Sequence, residues 1–495
     1  MSGPREHVLV AGSGITGLGV ALALGGGART VTLLDRDPPP PETSPEEAFL
    51  TWERRGATQL RHSHAFIGRL NTLIRTRYPA LLAELEREGA RLFSYQDALP
   101  PPLKNRYRAQ AGDDELCFLF SRRTTLELVL RRYVARLPGV RFVTDAAVRG
   151  LITRRNENGT LVVEGLQVER GGAVEAMHAD VVVDATGRNT AFPDWLRAEG
   201  CSIAEDEAPC GILYYTRHYK LRDGQDEPPR DGTPGGGDLG YIKFGVFAAD
   251  NRHFSITLAT PEIETGLRTA IVRPEIFEAI CAQIPGAARW TEPGRAEPVG
   301  PVCAMGNLVN LWRHYVKDGE PQALGFFALG DAAVRSNPLY GRGCSSGVVQ
   351  AHILRAALDA TSDPAERAKI VARDTWKEIR PYYDSMTKAD IQAIRRAEHE
   401  RDPHYKAKLK ARLMKSFAED AITPASRGSQ AVSRALSRAF HMIGHPTAWL
   451  NDPAIMARII AVWAMPKWLK KALGYYPPSF GPGRNEMLAR LGLQA

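Results

Sequence analysis

His7-Val8-Leu9-Val10-Ala11-Gly12-Ser13-Gly14-Ile15-Thr16-Gly17 opens the chain as an apolar run that breaks into a glycine turn. Residues 18–24 behind it read as a helix, and a second apolar run, Thr30–Leu34, ends on Asp35. Strand, G-x-G-x-x-G turn, helix, strand and acid in that order form a dinucleotide-binding βαβ unit. Gly12 permits the tight turn, Gly14 lets backbone N–H groups approach a pyrophosphate, and Gly17 lets helix and strand pack closely. The helix start, Ile15 and Thr16 included, supplies partial positive charge to the phosphates. Asp35 is spaced to bind a ribose hydroxyl.

A second match to the glycine pattern, Gly235-Gly236-Gly237-Asp238-Leu239-Gly240, has no strand before it. It follows Pro228-Pro229 and Asp231-Gly232-Thr233-Pro234, so residues 222–238 read as an exposed loop. The chain is expected to carry one phosphate cradle.

Composition places the sequence among soluble enzymes. Its 495 residues suffice for two to four domains, and 44% hydrophobic with 24% charged residues is an ordinary globular balance. The cysteines (117, 201, 210, 281, 303 and 344) lack C-x-x-C or metal-ligand spacing. They read as free thiols of a cytoplasmic protein, with no metal site. No leader is expected before the first strand, and no apolar run reaches the roughly twenty residues that span a bilayer.

Two downstream stretches decide which dinucleotide is bound. Asp180-Val181-Val182-Val183-Asp184-Ala185-Thr186-Gly187-Arg188 reads as a buried strand entering a turn. Residues 323–329 read as another strand, followed by Gly330-Asp331 and Asn337-Pro338-Leu339-Tyr340-Gly341-Arg342-Gly343-Cys344-Ser345, then a helix over residues 346–358. Asp331 can accept from a ribityl hydroxyl, and amides near Gly343 can face the flavin edge where reduction accumulates negative charge.

These segments, with Ser121-Arg122-Arg123-Thr124-Thr125-Leu126-Glu127, resemble the FAD-dependent monooxygenases of the p-hydroxybenzoate hydroxylase fold. That superfamily also holds squalene epoxidases, geranylgeranyl reductases and flavin-dependent halogenases. The resemblance spans about residues 5–360. It implies an α/β protein with a Rossmann-like FAD-binding domain interleaved with a β-sheet substrate domain. The expected divisions are 1–75, 115–200 and 300–360 for FAD, and 76–114 with 201–299 for substrate; 361–495 is a basic helical region. Gly12, Gly14, Ile15, Thr16, Gly17, Asp35 and Arg36 fall at the ADP half by this carry-over, with Arg123 near the pyrophosphate. Asp331, Pro338, Gly341, Arg342, Gly343, Cys344 and Ser345 fall at the ribityl–isoalloxazine half.

The implied activity is hydroxylation or epoxidation of an apolar or aromatic small molecule with O2, through a flavin C4a-hydroperoxide. A reductase of alkenes, a halogenase and a non-enzymatic flavin scaffold are the alternatives. Residues 184–190 do not reproduce the D-G-x-x-S-x-x-R stretch associated with nicotinamide-driven reduction, and the W-x-W-x-I-P halogenase motif is absent. The expected electron source is therefore a separate flavin reductase, with direct NAD(P)H use as the alternative.

Arg61, His62 and His64, in Gln59-Leu60-Arg61-His62-Ser63-His64-Ala65-Phe66, are candidates for a catalytic role beside the ring, and Tyr340 is a fourth. Ile242, Phe244 and Val246, then Phe254, Ile256 and Leu258, alternate as one buried sheet face. That face reads either as the floor of a substrate pocket or as core packing. Residues 361–495 hold 23 Lys+Arg against 13 Asp+Glu, a net of +10, while the whole chain is +8. Asp363-Pro364 starts a helix there that Pro381 is expected to break or kink. Ile455, Met456, Ile459, Ile460 and Trp463 form a helical stripe before Trp468-Leu469-Lys470-Lys471. The stripe reads as peripheral membrane contact, or as a helix that covers the substrate domain or makes a dimer contact. Nucleic acid is not an expected partner, since acids intersperse the cations.

Overall fold

A computed structural model describes residues 5–493. The expected βαβ unit forms from strand His7–Ala11, helix Ile15–Leu24 and strand Thr30–Leu34. Five parallel strands run in the order Phe326–Ala328, Val181–Asp184, His7–Ala11, Thr30–Leu34, Val140–Val143. The middle three are near-continuous apolar runs because both faces of the sheet are covered. Helices Ile15–Leu24, Arg123–Ala135 and Gly343–Ala360 pack on one face through Leu18, Val129 and Val348. Strand Leu161–Arg170 covers the other through Leu161, Val163 and Leu166.

Two glycines set the closeness of this packing. Gly12 has φ +98°, and a Cβ there would come 2.5 Å from the Ala185 carbonyl oxygen. A Cβ on Gly17 would come 1.9 Å from the Gly12 carbonyl oxygen.

Residues 323–329 are not one strand. Ala323–Leu324 pairs with Leu161 and Val162, whereas Phe326–Ala328 pairs with Val182, Val183 and Asp184. Gly325, at φ +71°, makes the break, since the chain must leave one sheet and enter another within one residue.

A second, antiparallel sheet has the order Gly236–Asp238, Lys243–Ala248, His253–Pro261, Ile212–Leu221, Ala296–Met305. The first of these corrects the expected loop: residues 236–238 add an edge strand to Lys243–Ala248. The last corrects the expected division at 299/300, which would cut a strand paired along Ile212–Leu221. Ile242, Phe244, Phe254, Ile256 and Leu258 are buried against Leu267, Phe277, Ile280, Met487 and Leu488. This alternating face is therefore helix-covered core and not a pocket floor. The opposite face turns Tyr214, Thr216 and His218 toward the parallel-sheet unit, where they bond to Asn337, His62 and the Arg61 carbonyl.

The tail is helical. Asp363 caps the helix Pro364–Arg401, accepting from the amides of Ala365 and Glu366 at 2.8 and 3.4 Å. The helix is 38 residues long with Pro381 inside it, so of the expected break or kink the break does not occur. An internal proline costs roughly 3 kcal/mol or more, and packing on both sides offsets it. Ile379, Tyr382, Tyr383 and Met386 are all buried, and Tyr383 meets Trp312 edge-on with centroids 5.5 Å apart. The stripe on helix Pro453–Ala464 divides: Ile455 and Ile459 pack on Ala421, Ala425 and Val432, Met456 and Trp463 are partly buried, and Ile460 is exposed.

Gly17→Ala tests the packing at the first turn. Overpacking of this kind costs about 1–3 kcal/mol, so the denaturant midpoint should fall clearly; an unchanged midpoint would show that the turn relaxes freely.

Candidate functional site

The first turn leaves space where its neighbours do not. Around Gly14, the N-cap of Ile15–Leu24, a Cβ would meet nothing within 4 Å, in contrast to Gly12 and Gly17. That opening lies at a helix N-terminus, the position a pyrophosphate takes. Ile15 is buried in the core. Thr16 is wedged between chain segments: a Cβ on Gly330 or Gly347 would come 2.2 or 2.3 Å from its Oγ1. Thr16 therefore locks the first turn onto Gly330-Asp331 and the helix Gly343–Ala360.

Asp35 is less free than its position in the sequence suggests. Its carboxylate is 4% exposed and lies 2.9 Å from Arg131 and 3.3 Å from Arg54. Ser13 Oγ also donates to it, as does the Asp37 amide at 3.1 Å. Arg54 extends the chain of charges to Asp37 at 3.1 Å and Glu127 at 2.6 Å, and Glu127 pairs with Arg123 at 2.9 Å. Burial works against the Arg54 charge, but Glu127, Asp35 and Asp37 hold its guanidinium above its ordinary value. Arg36 is exposed, and its guanidinium donates to the Arg55 carbonyl.

The opposite end of the charge chain meets residues 331–344. Arg123 Nη1 lies 3.3 Å from His64 Nε2 and 3.8 Å from Cys344 Sγ. The Asp331 carboxylate has no hydrogen-bond partner among the described residues. Burial pushes its pKa up, against the attraction of Arg335, Arg123 and Arg188. Gly343 is exposed, and a Cβ there would meet only Asp331 Oδ1, at 3.9 Å. Ser345 Oγ and Arg342 Nε are buried without partners. Arg342 stacks over Tyr340 and Tyr382 at 5.4 and 4.9 Å. Pro338 is exposed, and Gly341, at φ +64°, would bring a Cβ within 3.1 Å of the Ala65 carbonyl oxygen.

This loop is clamped from behind. Asn337 Nδ2 donates to Asp390 at 3.0 Å, and the Asn337 amide donates to Asn310 Oδ1 at 2.8 Å. Tyr340 donates to Asp390 at 3.0 Å, and Tyr214 donates to Asn337 Oδ1. The Tyr340 hydroxyl is thereby committed to the tail helix.

The candidate residues of the 59–66 loop separate into two groups. Arg61 donates to the carbonyls of Phe49 and Leu50 at 3.2 Å, closing the end of helix Pro45–Thr51. His62 and His64 turn inward. His64 Nδ1 donates to the His62 carbonyl at 2.9 Å, which leaves Nε2 to accept from Arg123. His62 Nδ1 lies 3.2 Å from Thr216 Oγ1. From there hydroxyls continue through Thr257 (2.8 Å) and Ser63 (2.8 Å) to Ser255 (2.7 Å). Sequence reading missed Thr216, Ser255 and Thr257. The available signal was that the residues between the buried apolar positions on those strands are small and hydroxylated. Among the described residues, no group of three or more His, Cys, Asp or Glu side chains is placed to hold a metal ion.

The glycine turn, the paired sheets and the glycine-rich loop before Gly343–Ala360 give the chain the fold that flavin-dependent monooxygenases and halogenases share. Among solved structures, the chain is similar to pqsL, a probable FAD-dependent monooxygenase from Pseudomonas aeruginosa. The TM-score is 0.54 at 16% identity, over 79% of this chain and 98% of that one. The flavin-dependent halogenase CmlS gives 0.56 at 17% identity, over 91% and 78% of the two chains. OxyS, an anhydrotetracycline hydroxylase from Streptomyces rimosus, gives 0.54 at 16% identity, over 89% and 76%. In sequence, the chain is 27% identical to Protein Rv3254 of Mycobacterium tuberculosis over 403 residues, 75% of this chain and 78% of that protein. No protein-family model matches the chain.

The buried histidines give the fold an acid sensitivity of known sign. Burial holds His62 at about 4; burial, with Arg123 next, holds His64 at about 3; burial, with His253 next, holds His218 at about 3. They stay neutral in the folded chain and take up protons once it unfolds below about pH 6.5. Stability is therefore greatest above that pH and falls as pH drops toward 4, with each histidine adding about 1.4 kcal/mol per pH unit to the slope. His218→Gln should flatten the denaturant-midpoint profile between neutral pH and pH 4 by about one proton; an unchanged slope would show that His218 titrates normally when folded.

Proposed function

We propose that the chain is a FAD-dependent monooxygenase, a hydroxylase or epoxidase of an apolar or aromatic small molecule. The observation that carries this reading is the pairing of the open turn at Gly14 with the unbonded Asp331 carboxylate, on two segments that Thr16 holds together. These residues fit FAD: the space at Gly14 suits a pyrophosphate, and Asp331 suits a ribityl hydroxyl. Bound FAD would supply the activation of O2 and the delivery of one oxygen atom. The chain's part is to bind, orient and shield.

Amides of the Gly14–Gly17 turn would hold the pyrophosphate, and Arg36 would lie toward the adenosine end. Asp35 would act by fixing Ser13, Arg54 and Arg131 and not as a free ribose ligand. Pro338, Gly341, Gly343, Cys344 and Ser345 would abut the ring, and Arg123 would set the charge beside Cys344 and His64. Neutral His64 can accept a proton at Nε2 only by displacing the Arg123 bond, so it serves orientation better than acid–base exchange at neutral pH. The hydroxyl chain from His62 to Ser255 would form the polar wall of the substrate chamber.

A separate flavin reductase is the proposed electron donor. The second glycine match supports this, because it forms an edge strand whose Asp238 is paired with Lys243 and Arg396. Two alternatives make different predictions: an alkene reductase would turn over without oxygen, and a halogenase would require halide.

The chain should purify with FAD, and Gly14→Val should lose it. Reduced holoprotein should consume O2 faster when an accepted aromatic or lipophilic substrate is present. Full flavin occupancy in Gly14→Val would refute the cradle, and a holoprotein whose O2 uptake no substrate alters would favour a scaffold. Anaerobic stopped-flow mixing with NADH or NADPH should leave the oxidised-flavin band largely intact; rapid bleaching would make the enzyme self-sufficient.

A further inference from the structure

We infer that helix Leu409–Ser416, with the neighbouring Trp468, is a docking surface for an anionic lipid bilayer. This goes beyond the proposed chemistry and does not depend on it. Residues 402–415 are exposed without exception, and the helix buries none of its residues. Leu409, Leu413 and Met414 are 70%, 49% and 59% exposed. Leu409 and Leu413 stand one helical turn apart, on one side. Lys406, Lys408, Lys410, Arg412 and Lys415 surround them, and no acid lies between residues 403 and 415. Among the described residues, Lys415 alone of these cations has an acidic partner, Glu419 at 3.9 Å.

A second apolar element is brought alongside. The helix runs directly into Phe417–Ile422, whose first ring meets Trp463 edge-on at 5.3 Å. Trp463 Nε1 donates to Ser416 Oγ at 3.2 Å, and Lys467 pairs with Asp420 at 3.1 Å. Helix Lys467–Ala472 therefore starts beside this element, with Trp468 70% exposed between Lys467 and Lys471.

Leucine, methionine and tryptophan set among lysines suit an interface where apolar side chains enter the acyl boundary and cations meet anionic headgroups. A second copy of the chain would oppose like charges. Nucleic acid would use the cations but leave Leu409, Leu413 and Met414 in water. Of the segment the sequence offered for such contact, Ile455 and Ile459 are buried, whereas Ile460 and Trp468 are 52% and 70% exposed.

Sedimentation of the full-length holoprotein with vesicles tests the inference. Vesicles of equal parts phosphatidylcholine and phosphatidylserine should carry the protein down, at least about tenfold more strongly than phosphatidylcholine alone, and less so in high salt. The double variants Leu409→Asp/Leu413→Asp and Lys408→Glu/Lys410→Glu should each bind at least about tenfold more weakly. Both alter exposed positions, so flavin absorbance and melting should match the parent and exclude misfolding. Absence of sedimentation with the anionic vesicles would overturn the inference, as would unchanged binding by well-folded variants. An electrophoretic shift of single-stranded RNA that both double variants retain would leave the inference intact. A shift lost in the lysine variant alone, without vesicle binding, would reassign the surface to nucleic acid.

Discussion

The molecule depends on a line of buried charge running beneath the glycine turn. Arg123, Glu127 and Arg131 fall one turn apart on a single helix face, and Arg54 links that face to Asp35 and Asp37 after the second strand. Arginines and carboxylates alternate, so each charge has a partner. The desolvation penalty for such ions is several kcal/mol each, and removing one member of a buried pair costs about 3–5 kcal/mol because its partner is stranded. The network's main contribution is placement. It joins the first βαβ unit, the loop before residue 57 and the helix Arg123–Ala135 into one frame, with the Gly14 opening at one end and Asp331 at the other.

The tail does comparable work from the far side. Asp390, on a helix that begins at Pro364, receives hydrogen bonds from Asn310, Asn337 and Tyr340. Burial raises the Asp390 pKa, and those three donors oppose the rise. The glycine-rich loop that would meet the ring is thus shaped by residues distant in sequence. Packing of Tyr382 and Tyr383 explains why the helix tolerates Pro381, because the contacts on either side outweigh the lost backbone hydrogen bond. The tail that buttresses this glycine-rich loop also carries the exposed basic helix, so one region shapes the loop and would make the proposed bilayer contact.

Much of the fold was legible because its signals are local. The turn from Gly12 to Gly17, the Asp363 cap and the alternation of Phe254, Ile256 and Leu258 depend on neighbours within a few residues. What was not legible depends on distant partners. The alternation identified a buried face but not which layer covered it, and the apolar face went to helices while the hydroxylated face met the 61–63 loop and Asn337. The sequence spaced Asp35 for a ribose hydroxyl but could not show Arg54 and Arg131 closing on its carboxylate, because neither is a local neighbour. Arg61 sat among histidines as a candidate for the ring, whereas three-dimensional proximity gave it to the end of helix Pro45–Thr51. The split at Gly325 was hidden within an unbroken apolar run.

A crystal structure of the holoprotein tests the central claim most directly. The isoalloxazine ring should lie within van der Waals contact, about 4 Å, of the loop from Pro338 to Ser345. The pyrophosphate should sit at Gly14, a ribityl hydroxyl on Asp331, and the face bearing Tyr214 and Thr216 across the chamber. A flavin bound elsewhere, or bound with no atom of that loop near its ring, would contradict the account.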